Sequence, residues 1–116
     1  MKRLIRATQN SYRGLRIAFA TQAAIREEIA ALALAVPGAF LVTSLVWERL
    51  LLIGVVLLAI AIELLNTAIE GLADCITREP DERIGRIKDM GSAAVGIGLL
   101  LAAASWAIAI ARALGG

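Results

Sequence analysis

The sequence predicts an all-α integral membrane protein, built from an N-terminal amphipathic surface helix and three transmembrane helices. Three observations lead to this prediction: a high apolar content, its clustering into uncharged runs, and an uneven distribution of cations. Of 116 residues, 59% are apolar, which is more than a soluble domain of this size can cover with polar surface. We therefore expect a single membrane domain over residues 1–116.

The first segment, residues 4–24, has the periodicity of an amphipathic helix. Leu4, Tyr12, Leu15 and Phe19 fall on one side of this helix, and most of its cations fall on the other. That pattern is typical of a helix lying on the inner leaflet, with its cations near anionic lipid headgroups. The helix either only anchors the orientation of the protein or also contributes to a site, and the pattern leaves both open.

Uncharged runs follow this helix, at residues 29–46, 50–62 and 93–111. A helix needs roughly 20 apolar residues, at about 1.5 Å each, to cross the hydrocarbon of a bilayer. The spans are expected at about residues 28–46, 50–74 and 89–112. Pro37 predicts a kink in the first span. Trp47, Glu48 and Arg49 are expected to form a short external turn.

The cations predict the orientation of these spans. All but Arg49 and Arg112 of the 12 Lys and Arg residues lie before the first span or between the second and third. The positive-inside rule then places the N-terminus in the cytoplasm and the C-terminus outside. The net charge of +2 says little about partners. Membrane composition without interleaved aromatic residues argues against nucleic acid.

Small residues in the third span predict close helix packing. Ser92 and Gly96, like Ala94 and Gly98, are four residues apart, a spacing that lets helix backbones approach each other. The alternative is that small residues are simply common in membrane helices. Three helices form a bundle too thin to enclose a polar cavity, so we expect an oligomer.

The residues that carry chemistry lie in the second span. Glu63, Asn66 and Glu70 share one helix face, which Asp74 continues. Glu63 would lie roughly 20 Å from the external end. A carboxylate at that depth costs at least a few kcal/mol unless it is paired, metal-bound or protonated. We interpret the face as a functional site; an interhelical network that holds an oligomer together is the alternative.

Other charged residues can reach the same level of the bilayer. Lys88 and Asp89 begin the third span, and Glu27 and Glu28 begin the first. Carboxylates beside cations suit a divalent metal bound together with phosphate oxygens. The chain has no histidine, no GxxxxGK[ST] phosphate loop and no serine with triad partners. The residues thus indicate a metal and phosphate site at the inner surface of a membrane protein.

Two motifs, at residues 63–70 (ELLNTAIE) and 88–95 (KDMGSAAV), closely resemble those of the bacterial integral-membrane diacylglycerol kinases. The resemblance covers nearly the whole chain. It implies a homotrimer in the inner membrane, with active sites shared between subunits. It also implies transfer of the γ-phosphate of MgATP to the primary hydroxyl of diacylglycerol, giving phosphatidic acid. A related group within the fold phosphorylates undecaprenol instead, and the 88–95 motif resembles that group less.

The resemblance assigns residues to the lipid acceptor. Glu63 would be the general base that accepts the proton of the lipid hydroxyl, and Asn66 would orient Glu63 or the substrate headgroup. Arg3 and Ser11 match positions of the surface helix near the headgroup. Lys88 would also contact the substrate, at the phosphates of ATP.

The resemblance assigns a second group to the nucleotide and magnesium. Glu70 would be a metal ligand, Asp89 would help to hold the nucleotide, and Glu28 matches an acidic position of the nucleotide site. Asp74 would be structural or part of this site.

Gln22 departs from the family pattern, because it stands where the family usually has a glutamate as second metal ligand. An amide oxygen can still coordinate magnesium, but without the negative charge. Glu27 or Glu28 would then compensate, or metal affinity would be lower. The rival class is a non-enzymatic oligomer, such as a small ion-conducting or scaffold protein, in which the carboxylates bind a translocated cation or join the helices.

Overall fold

The computed structural model describes residues 1–115 and contains four α-helices, which confirms the all-α prediction. The helices are α1 (Lys2–Thr21), α2 (Ala23–Val42), α3 (Val46–Ile76) and α4 (Glu82–Gly115). Of the described residues, α3 and α4 form helices long and apolar enough to cross a membrane. The three charged residues 26–28 occupy the start of α2. Its apolar part, residues 29–42, is about 21 Å long at 1.5 Å per residue, so α2 stays a predicted span.

Helix α1 is amphipathic, and Ala18 is its buried residue. It ends at Thr21, three residues before the expected boundary, because Gln22 has extended backbone angles (φ −119°, ψ 114°). The last carbonyls of a helix lack intrahelical partners. Here Arg26 Nη1 donates to the carbonyl oxygen of Phe19 at 2.8 Å, as cations at helix C-termini commonly do. Gln22 therefore lies at the break between the surface helix and α2.

The turn between α2 and α3 lies at residues 43–45, so the prediction of an external turn at Trp47, Glu48 and Arg49 was wrong. These residues belong to the start of α3. Thr43 Oγ1 accepts from the backbone N–H of Leu45 at 3.1 Å, which holds the turn. A carboxylate such as Glu48 is stabilised at a helix N-terminus by the helix dipole, so charge at this position favours a helix start over a loop.

Helix α2 continues through Pro37 as one helix. Its buried residues are Ile25, Ala35 and Ala39. Gly38 lies against the ring of Trp106 on α4, since a Cβ there would be 3.3 Å from Trp106 Cη2. The indole Nε1 of Trp106 in turn donates to the carbonyl oxygen of Leu52 on α3 at 3.0 Å. Small side chains on α2 thus let the three long helices meet around one tryptophan.

Helices α3 and α4 are antiparallel along their full length. Contacts between them run in opposite directions along the two sequences: Asp74–Lys88, Asn66–Gly91, Ala59–Gly98, Leu52–Trp106 and Glu48–Arg112. We call the two ends of this pair the Asn66 end (Asn66, Asp74, Lys88 and Gly91, with Glu28 and Glu63 beside them) and the Glu48 end (Thr43, Glu48, Arg49 and Arg112).

The small residues that contact α3 are not the pairs predicted. Gly91 and Gly98, seven residues apart, are buried against α3. Ser92 and Ala94 are exposed, and within residues 1–115 a Cβ on Gly96 would meet no atom of another helix within 4 Å. Residues seven apart lie on the same face of a helix, two turns from each other, so Gly91 and Gly98 share the face of α4 that packs against α3.

Helix α4 begins at Glu82, before the span predicted from residue 89. Asp81 caps it: Asp81 Oδ1 accepts from the backbone N–H groups of Arg83 at 2.9 Å and Ile84 at 3.2 Å. The backbone hydrogen bond from Ile84, and to a smaller extent the one from Arg83, lower the pKa of Asp81. The start of α4 is therefore fixed by a side chain in the polar connection.

Candidate functional site

The predicted polar face of α3 occupies the Asn66 end. Helix α3 is continuous from Val46 to Ile76, so residues at spacings of three and four lie on neighbouring turns. Asn66 is buried, Glu63 is half-buried, and Glu70 and Asp74 are exposed. The face therefore runs from the packed interior near Asn66 to the open end of the helix.

Asn66 is the buried centre of this face, with 7% of its surface exposed. Its Nδ2 donates to Glu70 Oε1 at 3.3 Å. Its Oδ1 is buried and has no hydrogen-bond partner within residues 1–115. On α4, Gly91 lies against that oxygen, because a Cβ built on Gly91 would be 2.1 Å from Oδ1. The structure thus brings two of the predicted residues, Asn66 and Glu70, into direct contact.

Lys88 is held by Asp74, whose role the sequence left undecided. The two side chains form an ion pair of 2.8 Å between Lys88 Nζ and Asp74 Oδ1. They are 36% and 44% exposed, so the pair lies at the surface and Lys88 can reach other anions. Asp89 follows Lys88 on α4 and is exposed. Asp74 fixes where the predicted phosphate-binding cation emerges from α4.

Glu28 connects α2 to the same end. Its Oε2 is buried and accepts no hydrogen bond from the described part of the chain. The charges of Glu63 on α3 and Glu27 beside it act on this carboxylate. A buried carboxylate that faces another carboxylate needs a proton, a cation or a donor to offset the repulsion. Glu28 on α2 and Glu63 on α3 are therefore close enough for their charges to interact across the two helices.

The surface helix contributes one wall of an open, mostly apolar cavity of about 530 Å³. Ser11 and Leu15 of α1 line it opposite Leu64 and Thr67 of α3. The Ser11 hydroxyl donates to the carbonyl oxygen of Ala7 at 2.9 Å, within its own helix. Arg3 is exposed near the start of α1, away from this cavity. Ser11 is thus placed next to α3 residues that flank Glu63 and Asn66 in sequence, whereas Arg3 is not.

The predicted magnesium ligands, Glu70 and Gln22, lie on α3 and at the α1–α2 break. No group of three or more His, Cys, Asp or Glu residues that could hold a metal is present among residues 1–115. Magnesium commonly takes one or two protein carboxylates and completes its shell with water and substrate phosphates. The carboxylate oxygens of Glu70 and the amide oxygen of Gln22 are donors of the kind that such a partial ligand set uses.

Sequence reasoning missed Gly91 and the pairing of Asp74 with Lys88. Gly91 stood within a recognised motif, and its spacing of seven from Gly98 was the available signal. The ion pair joins residues of two helices, and their spacing in sequence carries no signal of it.

The fold and its polar face define a small all-α membrane protein with an acidic, oxygen-rich site at one end of its helices. Residues 9–110 match the family model of prokaryotic diacylglycerol kinase. The chain belongs to the prokaryotic diacylglycerol kinase family, which confirms the resemblance seen in the two motifs.

Named relatives agree with this membership. The chain is 44% identical over 106 residues to the diacylglycerol kinase of Escherichia coli K12, covering 91% of this chain and 87% of that one. It is 40% identical over 103 residues to the diacylglycerol kinase of Haemophilus influenzae, covering 89% and 87%. For the diacylglycerol kinase of Pseudomonas aeruginosa the identity is 39% over 107 residues, covering 92% and 87%.

Proposed function

We propose that this protein is an ATP-dependent diacylglycerol kinase, which transfers the γ-phosphate of MgATP to the primary hydroxyl of diacylglycerol. The observation that carries the proposal is the convergence at the Asn66 end: an acidic face on α3, Glu28 on α2 and Lys88 on α4. Phosphoryl transfer to a lipid alcohol requires a carboxylate base and a phosphate-binding cation close together at the same end of the helices.

Glu63 is the proposed general base. Its carboxylate accepts the proton of the lipid hydroxyl as the alcohol oxygen forms a bond to the γ-phosphorus of ATP. The bond between that phosphorus and the β–γ bridging oxygen breaks, and ADP leaves. Glu63 is half-buried on α3, and positioning of the reacting groups supplies much of such a reaction.

Lys88 is the proposed contact to the phosphates of ATP, and Asp89 and Glu28 are proposed to hold the nucleotide. Lys88 exchanges its exposed ion pair with Asp74 for the more highly charged phosphates. Magnesium, when bound, neutralises charge on the transferring phosphoryl group. Glu70 and Gln22 would hold it, and the hydrogen bond from Asn66 would orient Glu70.

The cavity between α1 and α3 supports a lipid acceptor. Its lining is mostly apolar, and its hydroxyl-bearing residues are Ser11 and Thr21 on α1 and Thr67 on the opposite wall. Acyl chains fit such a surface, while the hydroxyls suit a headgroup. Arg3 is proposed to contact lipid headgroups farther along α1.

The assembly is proposed to be a homotrimer in the inner membrane, with three spans per chain and shared active sites. The exposed small residues Ser92 and Ala94 on α4 support an oligomer, because small residues let the helices of neighbouring subunits approach each other closely. The N-terminus is proposed to be cytoplasmic and the C-terminus periplasmic, from the distribution of cations.

The test is transfer of labelled γ-phosphate by the purified protein in lipid-containing micelles, with diacylglycerol and undecaprenol offered separately. Labelled phosphatidic acid that disappears in Glu63→Gln, but not in the matched Glu48→Gln, supports the proposal. Label mainly on undecaprenol keeps the mechanism and replaces the acceptor. Label on neither lipid, with the oligomer intact, favours the non-enzymatic alternative.

A further inference from the structure

We infer that Gly91 is a positioning residue for the kinase site. Because Gly91 has no side chain, the Asn66 amide can pack against it in the orientation that lets Asn66 donate a hydrogen bond to Glu70. The inference rests on the proposed function for its consequence in catalysis. Its structural part concerns one contact between α3 and α4.

The contact leaves no room for any side chain at position 91. A Cβ on Gly91 would lie 2.1 Å from Asn66 Oδ1 and 3.2 Å from Asn66 Cγ. Both atoms belong to a buried side chain, so the amide cannot simply swing into solvent. Since α4 is helical here, glycine is less favourable than alanine for the helix itself. The space it leaves for Asn66 is the reason for a glycine at this point.

The other glycines of the same helix do not share this property. At Gly98 a Cβ would approach Ile62 Cδ1 at 3.0 Å, and the end of a flexible apolar side chain can shift. At Gly96 the described chain offers nothing within 4 Å of a Cβ. Gly91 is thus the glycine of α4 whose neighbour is a polar group of the site.

A side chain at position 91 would act on Glu70 through Asn66. The amide would have to turn, or α4 would have to move away from α3. Turning the buried amide breaks the 3.3 Å hydrogen bond from Asn66 Nδ2 to Glu70 Oε1, whereas a shift of α4 alone would leave this bond within α3 intact. Residues that orient a metal ligand typically change metal affinity by 10- to 100-fold when they are altered. We therefore expect Gly91→Ala to lower the affinity for the divalent metal more than it lowers the stability of the fold.

The experiment measures Mn²⁺ binding by electron paramagnetic resonance, using the full chain in lipid micelles with a non-hydrolysable ATP analogue. Gly91→Ala is compared with Gly98→Ala and Gly96→Ala as matched controls. We expect at least about tenfold weaker Mn²⁺ binding for Gly91→Ala and less than about twofold change for the two controls. Equal effects of Gly91→Ala and Gly98→Ala on Mn²⁺ would overturn the inference.

A double-mutant cycle shows whether Gly91 acts through Asn66. In an Asn66→Ala background the clash is absent, so adding Gly91→Ala should leave Mn²⁺ binding unchanged. A further weakening contradicts the inference. If Gly91→Ala alone does not fold, recovery of folding in the double variant supports the clash with Asn66, and failure to recover overturns it.

The Mn²⁺ readout separates this inference from the proposed function. If the wild type phosphorylates neither lipid but Gly91→Ala still binds Mn²⁺ more weakly than the wild type, the positioning role stands and the kinase activity does not. An active wild type whose Gly91→Ala variant binds Mn²⁺ normally would keep the kinase and remove the positioning role.

Discussion

The two ends of the α3–α4 pair differ in how completely the chain satisfies its own polar groups. Both ends carry an ion pair between the helices, Glu48 with Arg112 and Asp74 with Lys88. At the Glu48 end both carboxylate oxygens have partners: Oε1 accepts from Arg112, and Oε2 accepts from the Thr43 hydroxyl at 2.5 Å.

The Glu48 end is closed further by Arg49. Its Nε donates to the carbonyl oxygen of Thr43 at 2.9 Å, and its guanidinium lies 4.2 Å from the centre of the Phe40 ring. At the Asn66 end, by contrast, Glu28 Oε2 and Asn66 Oδ1 are buried without partners in residues 1–115. Buried polar atoms in folded proteins are nearly always paired.

We interpret the Glu48 end as a structural polar cluster, and we propose that the Asn66 end is the functional one. Groups that the chain already satisfies hold helices together and need nothing else. Groups left unsatisfied indicate that a ligand, a proton or another subunit completes the site. Matched substitutions at the two ends should therefore have different effects.

The largest effect is expected from Glu63→Gln. Loss of a general base typically costs 10²- to 10⁴-fold, so we expect turnover to fall by at least about 100-fold. The amide is the same size as the carboxylate, and the oligomer should persist. Glu48→Gln, at the other end, should leave turnover within about twofold. The comparison is made by initial rates and by size-exclusion chromatography in micelles; loss of assembly in Glu63→Gln would instead favour a structural carboxylate.

The second-largest difference between the two ends is expected when the cation of each ion pair is removed. Lys88→Met should lower kcat/KM for ATP by about tenfold or more, because a hydrogen bond to a charged group is worth about 1.5–3 kcal/mol. Arg112→Met should change kcat/KM by less than about twofold and mainly lower the thermal midpoint of unfolding. Similar kinetic losses in both variants would mean that the two ends do not differ in function.

A smaller effect is expected at Gln22, the neutral residue at the α1–α2 break. Gln22→Glu adds a charge worth about 1 kcal/mol at contact distance in water. The magnesium concentration for half-maximal rate should then fall by about fivefold. The matched variant is Gln9→Glu, on an exposed part of α1. An unchanged requirement in Gln22→Glu would remove this position from the metal site.

The smallest effect concerns Asp81 at the start of α4. Backbone hydrogen bonds from Ile84 and Arg83 lower its pKa in the folded protein, so its cap stabilises the fold above its unfolded-state pKa. That stability is lost as the pH falls through the lowered pKa. Asp81→Asn keeps an acceptor for the cap but does not titrate.

The measurement for Asp81 is the thermal midpoint of wild type and Asp81→Asn between neutral and acidic pH. The wild-type midpoint should fall toward that of the variant as the carboxylate is protonated. A difference between the two proteins that does not change with pH would contradict this assignment.

The sequence by itself determined the features that depend on local periodicity. The apolar runs gave helices, and α3 and α4 have the length to cross a membrane. The shared face of Asn66 and Glu70 follows from the 3.6-residue period of one helix, and the structure joins these two side chains by a hydrogen bond. Family membership also followed from two motifs, each of which is a single uninterrupted stretch of sequence. These are all properties of residues close together in the chain.

Helix boundaries were predicted less well, because they depend on capping groups rather than on hydropathy. Thr43 and Leu45 place the α2–α3 turn before Trp47, and Asp81 starts α4 well before the apolar run. Polar residues next to a span can continue its helix, and only their hydrogen bonds show where the helix begins.

Tertiary structure alone decided which residues of different helices meet. Whether Gly91 or Gly96 faces Asn66 depends on the rotation of α4 about its axis and on the antiparallel register of α3 and α4. The same register pairs Lys88 with Asp74 and Arg112 with Glu48. Rotation and register result from packing along the whole helix pair, so no single stretch of sequence specifies them.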